Sequence, residues 1–258
     1  MKVIILAGGW GSRLGQLAES IPKPMVQIGG RPILWHIMNI YSYYGFNDFI
    51  IALGVKGDAI KDYFYNYNQI NNDFTVELNS GDITYHTHNN DRDWKVTLVN
   101  TGLNTLKGGR IKRVEKYLEH ETNLLTYGDG VANIDINKLI EFHNSHKKII
   151  TISGVRPPSA FGEFEEENNK VLSFTEKPKS AKSYINGGFM VFNKKLLDKL
   201  SDHENTDFEF GLLEDLTKKR EVMVYKHDGL WECMDHERDV IYLNKLWDDN
   251  DAFWKVWR

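Results

Sequence analysis

The sequence predicts an α/β fold in which a mostly parallel sheet carries helices on both faces. Two observations lead there. The first quarter of the chain alternates apolar runs with helical periodicity in the order strand, helix, strand, helix. The apolar runs are continuous, as in strands buried on both faces, and do not alternate with polar residues. A third observation adds a variation. From about Asn71 to Thr101 three short strand-like runs are separated by polar turns, which predicts a β-rich insertion or sheet extension.

Taken in order, "KVIILAGG" reads as a buried strand ended by glycine. "RPILWHIMNIYSYYG" reads as a helix: Pro32 suits its first turn, Ile33, Ile37, Ile40 and Tyr44 share a face, and Gly45 stops it. "DFIIALG" is a second buried strand and "DAIKDYFYNY" a second helix, with right-handed crossovers expected. "DFTVEL", "DITYHTH" and "WKVTLVNTG" are the strands of the β-rich stretch. "GGRIKRVEKYLEH" is a helix with Ile111, Val114 and Leu118 on one face. "TNLLTYGDGV" is a strand ending in a polar turn, "DINKLIEFHNSH" a helix and "KIITISGV" a strand. Beyond these, "KVLSFTEKP", "GGFMVFN" and "EVMVYKHDGLWECM" read as strands, and "KKLLDKLS", "FEFGLLEDLTKK" and "DHERDVIYLNKLWDD" as helices. No repeat or low-complexity linker interrupts the chain, so residues 1–258 are read as one domain. The three tryptophans of "LWDDNDAFWKVWR" point to core packing or a subunit contact.

Composition narrows the function classes. With 26% charged and 41% hydrophobic residues the chain is an ordinary globular protein. A net charge of −4 argues against nucleic acid as the main partner. The single cysteine, Cys233, can form no intrachain disulfide, which favours a reducing compartment. No stretch is long and apolar enough to span a membrane, and the opening apolar run is too short for a signal peptide. A cytoplasmic protein is expected.

The stretch "LAGGWGSRL" carries the first chemical signal. A dinucleotide fingerprint fails in it, because Leu14 stands where the third glycine belongs and no acidic residue closes "DFIIALG". A P-loop fails too, since no Gly-Lys-Ser/Thr follows. What remains is a loop with little bulk at Gly8, Gly9 and Gly11, whose amides can approach phosphate. Ser12 adds a hydroxyl and Arg13 a fork of donors. Lys23, between Pro22 and Pro24, is placed to aim its ammonium back at the loop.

Other candidates sit at strand ends, where open α/β sheets bind ligands. Asp129 in "GDG" suits a magnesium ion shared with phosphate oxygens, or a simple turn. Asp235 is a second carboxylate, and also a candidate N-cap for the helix after it. Cys233 and His236 beside it lack a second cysteine to support zinc. His86 and His88 share a strand face without a third ligand. Lys177, after Glu176, can meet a phosphate as a point charge. Asn186 and Gly187 open a strand and suit close approach of a polyhydroxyl ligand.

These motifs in this order resemble the sugar nucleotidyltransferases: "LAGGWGSRL", "PKPM", "GDG", "EKP" and "NGG". "WKVTLVNTG" and "GGRIKRV" are more specific to the cytidylyl branch, and the resemblance runs over nearly the whole chain. It implies a Rossmann-like mixed sheet of the nucleotide-diphospho-sugar transferase type. It implies CTP and glucose 1-phosphate as substrates, CDP-glucose and pyrophosphate as products, and Mg²⁺ as cofactor. Supply of CDP-linked deoxysugars for bacterial surface polysaccharide and a homo-oligomer go with it. Carried over by position, Leu6, Ala7, Gly8, Gly9, Trp10, Gly11 and Ser12 wrap the nucleotide, and Arg13 and Lys23 sit on its triphosphate. Thr105, Gly109 and Arg110 read base and ribose, and Gly128, also counted with the nucleotide site, matches with Asp129 the sugar or metal position. Glu176, Lys177, Asn186 and Gly187 take the sugar phosphate, and Asp129 and Asp235 take the metal. Trp10, Ser12 and Lys107 depart from the family's usual residues. Rival readings are the same chemistry with UTP or dTTP, and a non-catalytic nucleotide-sugar sensor. A metal-dependent glycosyltransferase ranks behind both, because its Asp-x-Asp motif is missing.

Overall fold

The computed structural model describes residues 1–15, 17–87, 93–157, 161–176 and 183–257. Its centre is a seven-stranded sheet built from β1 (Val3–Ala7), β2 (Asp48–Leu53), β3 (Lys95–Asn100), β4 (Thr122–Tyr127), β5 (Ile150–Val155), β6 (Ile185–Asn193) and β7 (Val222–Lys226). The spatial order is β7-β5-β6-β4-β1-β2-β3. Every neighbouring pair is parallel except those made by β6, which runs antiparallel to β4 and β5. The mixed, mostly parallel sheet expected from the sequence is therefore present.

The longer helices are α1 (Ile33–Tyr43), α2 (Gly57–Tyr65), α3 (Lys107–Arg113), α4 (Ile136–His146) and α5 (Glu237–Asp248). Alternate residues of β1 feed two cores. Val3, Ile5 and Ala7 join α1 through Ile33, Ile37 and Ile40, while Ile4 and Leu6 join α3 through Ile111. Ile4 and Ile5 are fully buried, a contribution of about 1.5–3 kcal/mol each. The Asp135 carboxylate accepts from Lys138 N at 3.0 Å and starts α4, as an N-cap should.

Several expectations need correction. The stretch 71–101 divides: Phe74–Val76 and Ile83–Tyr85 form a separate antiparallel hairpin, but β3 joins the main sheet in parallel with β2. Among the described residues, "KVLSFTEKP" is a strand at Lys170–Thr175 as expected, paired with Glu163–Glu167 outside the main sheet. "EVMVYKHDGLWECM" is two strands, β7 and Trp231–Cys233, because the chain turns between them to pair with Gly130–Ala132. "KKLLDKLS" is a 3-10 helix, and "FEFGLLEDLTKK" is kinked at Phe210 and at Gly211, where φ is 104°. The tail tryptophans pack inward. Trp254 and Trp257 are buried and Trp247 is partly buried against the same core, as the core reading expects. Among the described residues no helix is long and apolar enough to cross a membrane.

Candidate active site

β2 lies on one side of β1 and β4 on the other, so the loops leaving β1 and β4 separate above the sheet. Such a switch point opens a crevice at the carboxyl ends of the strands. A cleft of about 560 Å³ occupies it, lined by residues 6–13 and by Lys23, Arg110, Asp129, Asn186 and Asp235 among others.

The loop after β1 is held from below. Arg110 reaches across from α3 and donates to the carbonyls of Gly8, Leu53, Gly102 and Leu103 and to Thr101 Oγ1, at 2.6–3.1 Å. A side chain on Gly8 would place its Cβ 2.4 Å from that guanidinium, so the close approach requires glycine. Gly11 turns the chain at φ 66°, and Leu14 drops into the core behind it. Trp10 and Ser12 are left exposed at the cleft wall.

Lys23 lies in a 3-10 turn (Lys23–Met25) between its prolines, with Pro24 buried. Its ammonium does not aim back at the loop. It stands between two carboxylates, 2.7 Å from Asp129 and 2.5 Å from Asp235. Arg13 meets the other oxygen of Asp235 at 2.8 Å. The local cause is a short ladder. Gly130–Ala132 pairs antiparallel with Trp231–Cys233, Gly130 opposite Cys233, and Met234 N donates to Asp129 O at 2.9 Å. That register brings Asp129, just before the Gly130 end, and Asp235, two residues past Cys233, together over the same lysine. Asp235 is not the helix cap expected of it. Asp239 accepts from Asp235 N and His236 N at the start of α5, which leaves the Asp235 carboxylate to the cations.

The charges hold one another ionised. Burial alone lowers the Lys23 ammonium, but Asp129 and Asp235 raise it above its ordinary value. Burial likewise raises Asp235, yet Lys23 and Arg13 bring it below the usual carboxylate range. Cys233 joins the pair: its Sγ and one oxygen of each aspartate lie within 4.8 Å of one another. Burial and then Asp129 push its thiol up, so it stays protonated and is a poor partner for a hard cation. The two carboxylates fit such a cation, because their oxygens are the donors it takes and they lie within reach of one another.

Other sequence candidates fall differently. Gly128 and Thr105 line the cleft, and Thr105 Oγ1 accepts from Arg113 at 2.8 Å. Gly109 does not face the cleft: its amide donates to Thr206 O at 3.0 Å, and a Cβ there would meet His203 O at 2.6 Å. Arg110 lines the cleft, but its guanidinium is occupied by the backbone and is not turned toward a base. Asn186 and Gly187 line it opposite the loop. Glu176 ends the exposed Lys170–Thr175 strand and is not part of the lining, and Lys177 lies outside the described residues. His86 bonds Thr75 Oγ1 at 2.8 Å in its hairpin, and His88 lies outside the described residues.

The sequence reading missed a polar group on the far wall. Lys107 pairs with Glu209 at 2.5 Å and sits 4.8 Å from the Tyr127 ring centroid. Tyr127 OH donates to Glu209 at 2.6 Å, and Asn186 Nδ2 donates to Tyr127 OH at 3.1 Å. The one signal of it was Lys107 as a departure from the family's residue.

The nucleotidyl transferase family model matches residues 2–251. A glucose-1-phosphate cytidylyltransferase of Salmonella typhi is 46% identical over the full length of both chains. A Bacillus subtilis protein named "Probable glucose-1-phosphate cytidylyltransferase" is 42% identical, again over both full lengths. The crystal structure of HddC from Yersinia pseudotuberculosis superposes with a TM-score of 0.68 at 25% identity, over 95% of this chain and 99% of that one. The chain belongs to the nucleotidyl transferase family, among the glucose-1-phosphate cytidylyltransferases.

Proposed function

We propose that the cleft joins CTP to glucose 1-phosphate, giving CDP-glucose and pyrophosphate. The observation that supports it best is the lysine shared by two carboxylates at the switch point, beside a glycine loop, in a chain that is similar end to end to enzymes named for this reaction. A phosphate oxygen of glucose 1-phosphate attacks the α-phosphorus of CTP. The new P–O bond forms as the bond to the β-phosphate oxygen breaks, and the electron pair leaves on pyrophosphate. The attacking oxygen is already ionised near neutral pH, so no side chain has to remove a proton.

Both reactants are anions, and charge is the main barrier to their approach. Gly8, Gly9 and Gly11 offer backbone amides to the triphosphate. Arg13 and Lys23 hold its charge and follow it onto the leaving pyrophosphate. Lys23 gives two of its three N–H donors to Asp129 and Asp235, so one remains for a phosphate oxygen. Lys177 and Asn186 hold the attacking phosphate and its sugar. Asp129 and Asp235 would hold Mg²⁺, which when bound neutralises charge on phosphate oxygens. Most of the rate then comes from alignment and electrostatics. The implied role, supply of CDP-linked deoxysugars for surface polysaccharide, goes with this reading.

The test is a panel of CTP, UTP, dTTP and GTP against glucose 1-phosphate and mannose 1-phosphate, read as pyrophosphate release with Mg²⁺. CTP with glucose 1-phosphate is expected to give the highest kcat/KM. A preference for UTP or dTTP removes the nucleotide assignment, and silence across the panel removes the transferase.

A further inference from the structure

We infer that Glu209 is a positioning residue for the sugar-phosphate side of the cleft, acting through Tyr127 on Asn186. The inference rests on the proposed function, which gives Asn186 to that side. Glu209 does not itself line the cleft, whereas Lys107, Tyr127 and Asn186 do.

The argument is about the direction of hydrogens. An ionised carboxylate only accepts, and Glu209 is ion-paired with Lys107 at 2.5 Å. The Tyr127 hydroxyl has one hydrogen, and at 2.6 Å from Glu209 it must donate it there. Its oxygen is then left to accept, and Asn186 Nδ2 donates to it at 3.1 Å. The other end of the amide is fixed as well, because Asn186 Oδ1 accepts from Gly188 N at 3.0 Å. One carboxylate thus sets the orientation of the whole chain of bonds. It leaves Asn186 with a single spare N–H, which recognises an acceptor such as a sugar hydroxyl or phosphate oxygen. Glu209 is itself fixed by its backbone. The Asp207 carboxylate accepts from Glu209 N at 2.9 Å and from Phe210 N at 3.0 Å, at the kink before Gly211.

The same bonds join two walls. Lys107 opens α3, the helix that carries Arg110 under the glycine loop, while Asn186 belongs to β6. Lys107 over the Tyr127 ring keeps the ion pair beside that hydroxyl, while the glycine loop is held separately by the bonds of Arg110 to backbone carbonyls.

Steady-state kinetics of Glu209→Gln, Tyr127→Phe and the double variant test this on the best substrate pair of the wild-type panel. Glutamine keeps the shape but can donate as well as accept, and phenylalanine keeps the ring and loses only the hydroxyl. Each single change is expected to raise KM for the sugar phosphate about tenfold. KM for the nucleotide should stay within about twofold of wild type, and so should kcat of Glu209→Gln. The double variant should be no worse than Tyr127→Phe alone, because both act through one hydroxyl. An unchanged sugar-phosphate KM in Glu209→Gln, an equal rise in nucleotide KM, or multiplying effects in the double variant each overturn the inference. If Glu209→Gln does not fold, as judged by circular dichroism, Tyr127→Phe carries the same KM test. An active wild type with a different preferred pair corrects the substrate assignment and leaves this comparison intact. A wild type inactive on every pair overturns both.

Discussion

Two regions join segments more than two hundred residues apart, and they treat a basic side chain in opposite ways. At the cleft, Lys23 meets Asp235 across 212 residues and keeps its charge. On the buried face of α1, His36 meets Trp254 across 218 residues and loses it. The His36 ring is fully buried, with Nε2 at 2.8 Å from the Ile28 carbonyl and Nδ1 accepting from Trp254 Nε1 at 3.2 Å. Those bonds use the neutral ring, and the edges of Trp35, Trp247 and Trp254 pack around it. Burial pushes its pKa down to about 4. A buried cation survives beside Asp129 and Asp235 because two anions offset the lost hydration. With no anion facing it, His36 gives up its proton. Charge is retained where the chain has chemistry to do and suppressed where it has only to pack.

The sharpest way to separate the two seams is to cut each one. Trp254→Ala should cost about 3–5 kcal/mol of stability, measured by denaturant unfolding, while the folded variant keeps near-normal turnover. A collapse of turnover in the folded variant would show that the aromatic seam also serves the cleft. Lys23→Ala and Asp129→Asn should do the reverse, lowering kcat about 100-fold or more with an intact fold by circular dichroism. Near-normal pyrophosphate release in either variant removes its assigned role.

A smaller effect comes from acid. His36 and His143 both have pKa values lowered from 6.5 to about 4, mainly by burial, with His146 adding to the effect on His143. Because the folded values are depressed, the unfolded chain binds protons first as pH falls below 6.5. The stability these rings confer is whole above about pH 6.5 and drains away toward pH 4. For His36 the loss is about 2 kcal/mol by pH 5. Unfolding midpoints measured from pH 7.5 to 4.5 check this, and His36→Gln should flatten the slope. A slope of equal size in that variant would place the acid sensitivity elsewhere.

Much of the architecture was legible because it rests on local pattern. Apolar runs marked β1, β2, β4 and β5, and helical periodicity marked α1 and α4. Partner choice was not local. Whether "WKVTLVNTG" belongs to a hairpin or to the main sheet depends on β2 presenting a free parallel edge, and no residue within the run records that. The site divides in the same way. Gly8, Arg13, Lys23, Asp129 and Asp235 were each visible as residue types at loop and strand ends. That Lys23 is shared by both aspartates follows from the Gly130–Cys233 register, which pairs segments about a hundred residues apart. Arg110 was read as a ligand-facing residue. Five acceptors in its own fold take the guanidinium instead, four of them backbone carbonyls, whose positions only the folded chain fixes. Glu209 carried no motif at all.

The short ladder that pairs Gly130–Ala132 with Trp231–Cys233 also bears on how the protein comes off the ribosome. The glycine loop and Lys23 are made before Asp235, which follows Lys23 by 212 residues. Domains begin to acquire structure during synthesis, and contacts of large sequence separation close late. A nascent chain that stops short of residue 231 therefore carries a phosphate loop and a lysine with only one of its two carboxylates. Competence arrives with the closing ladder, and termination before residue 231 yields a body without its second acid.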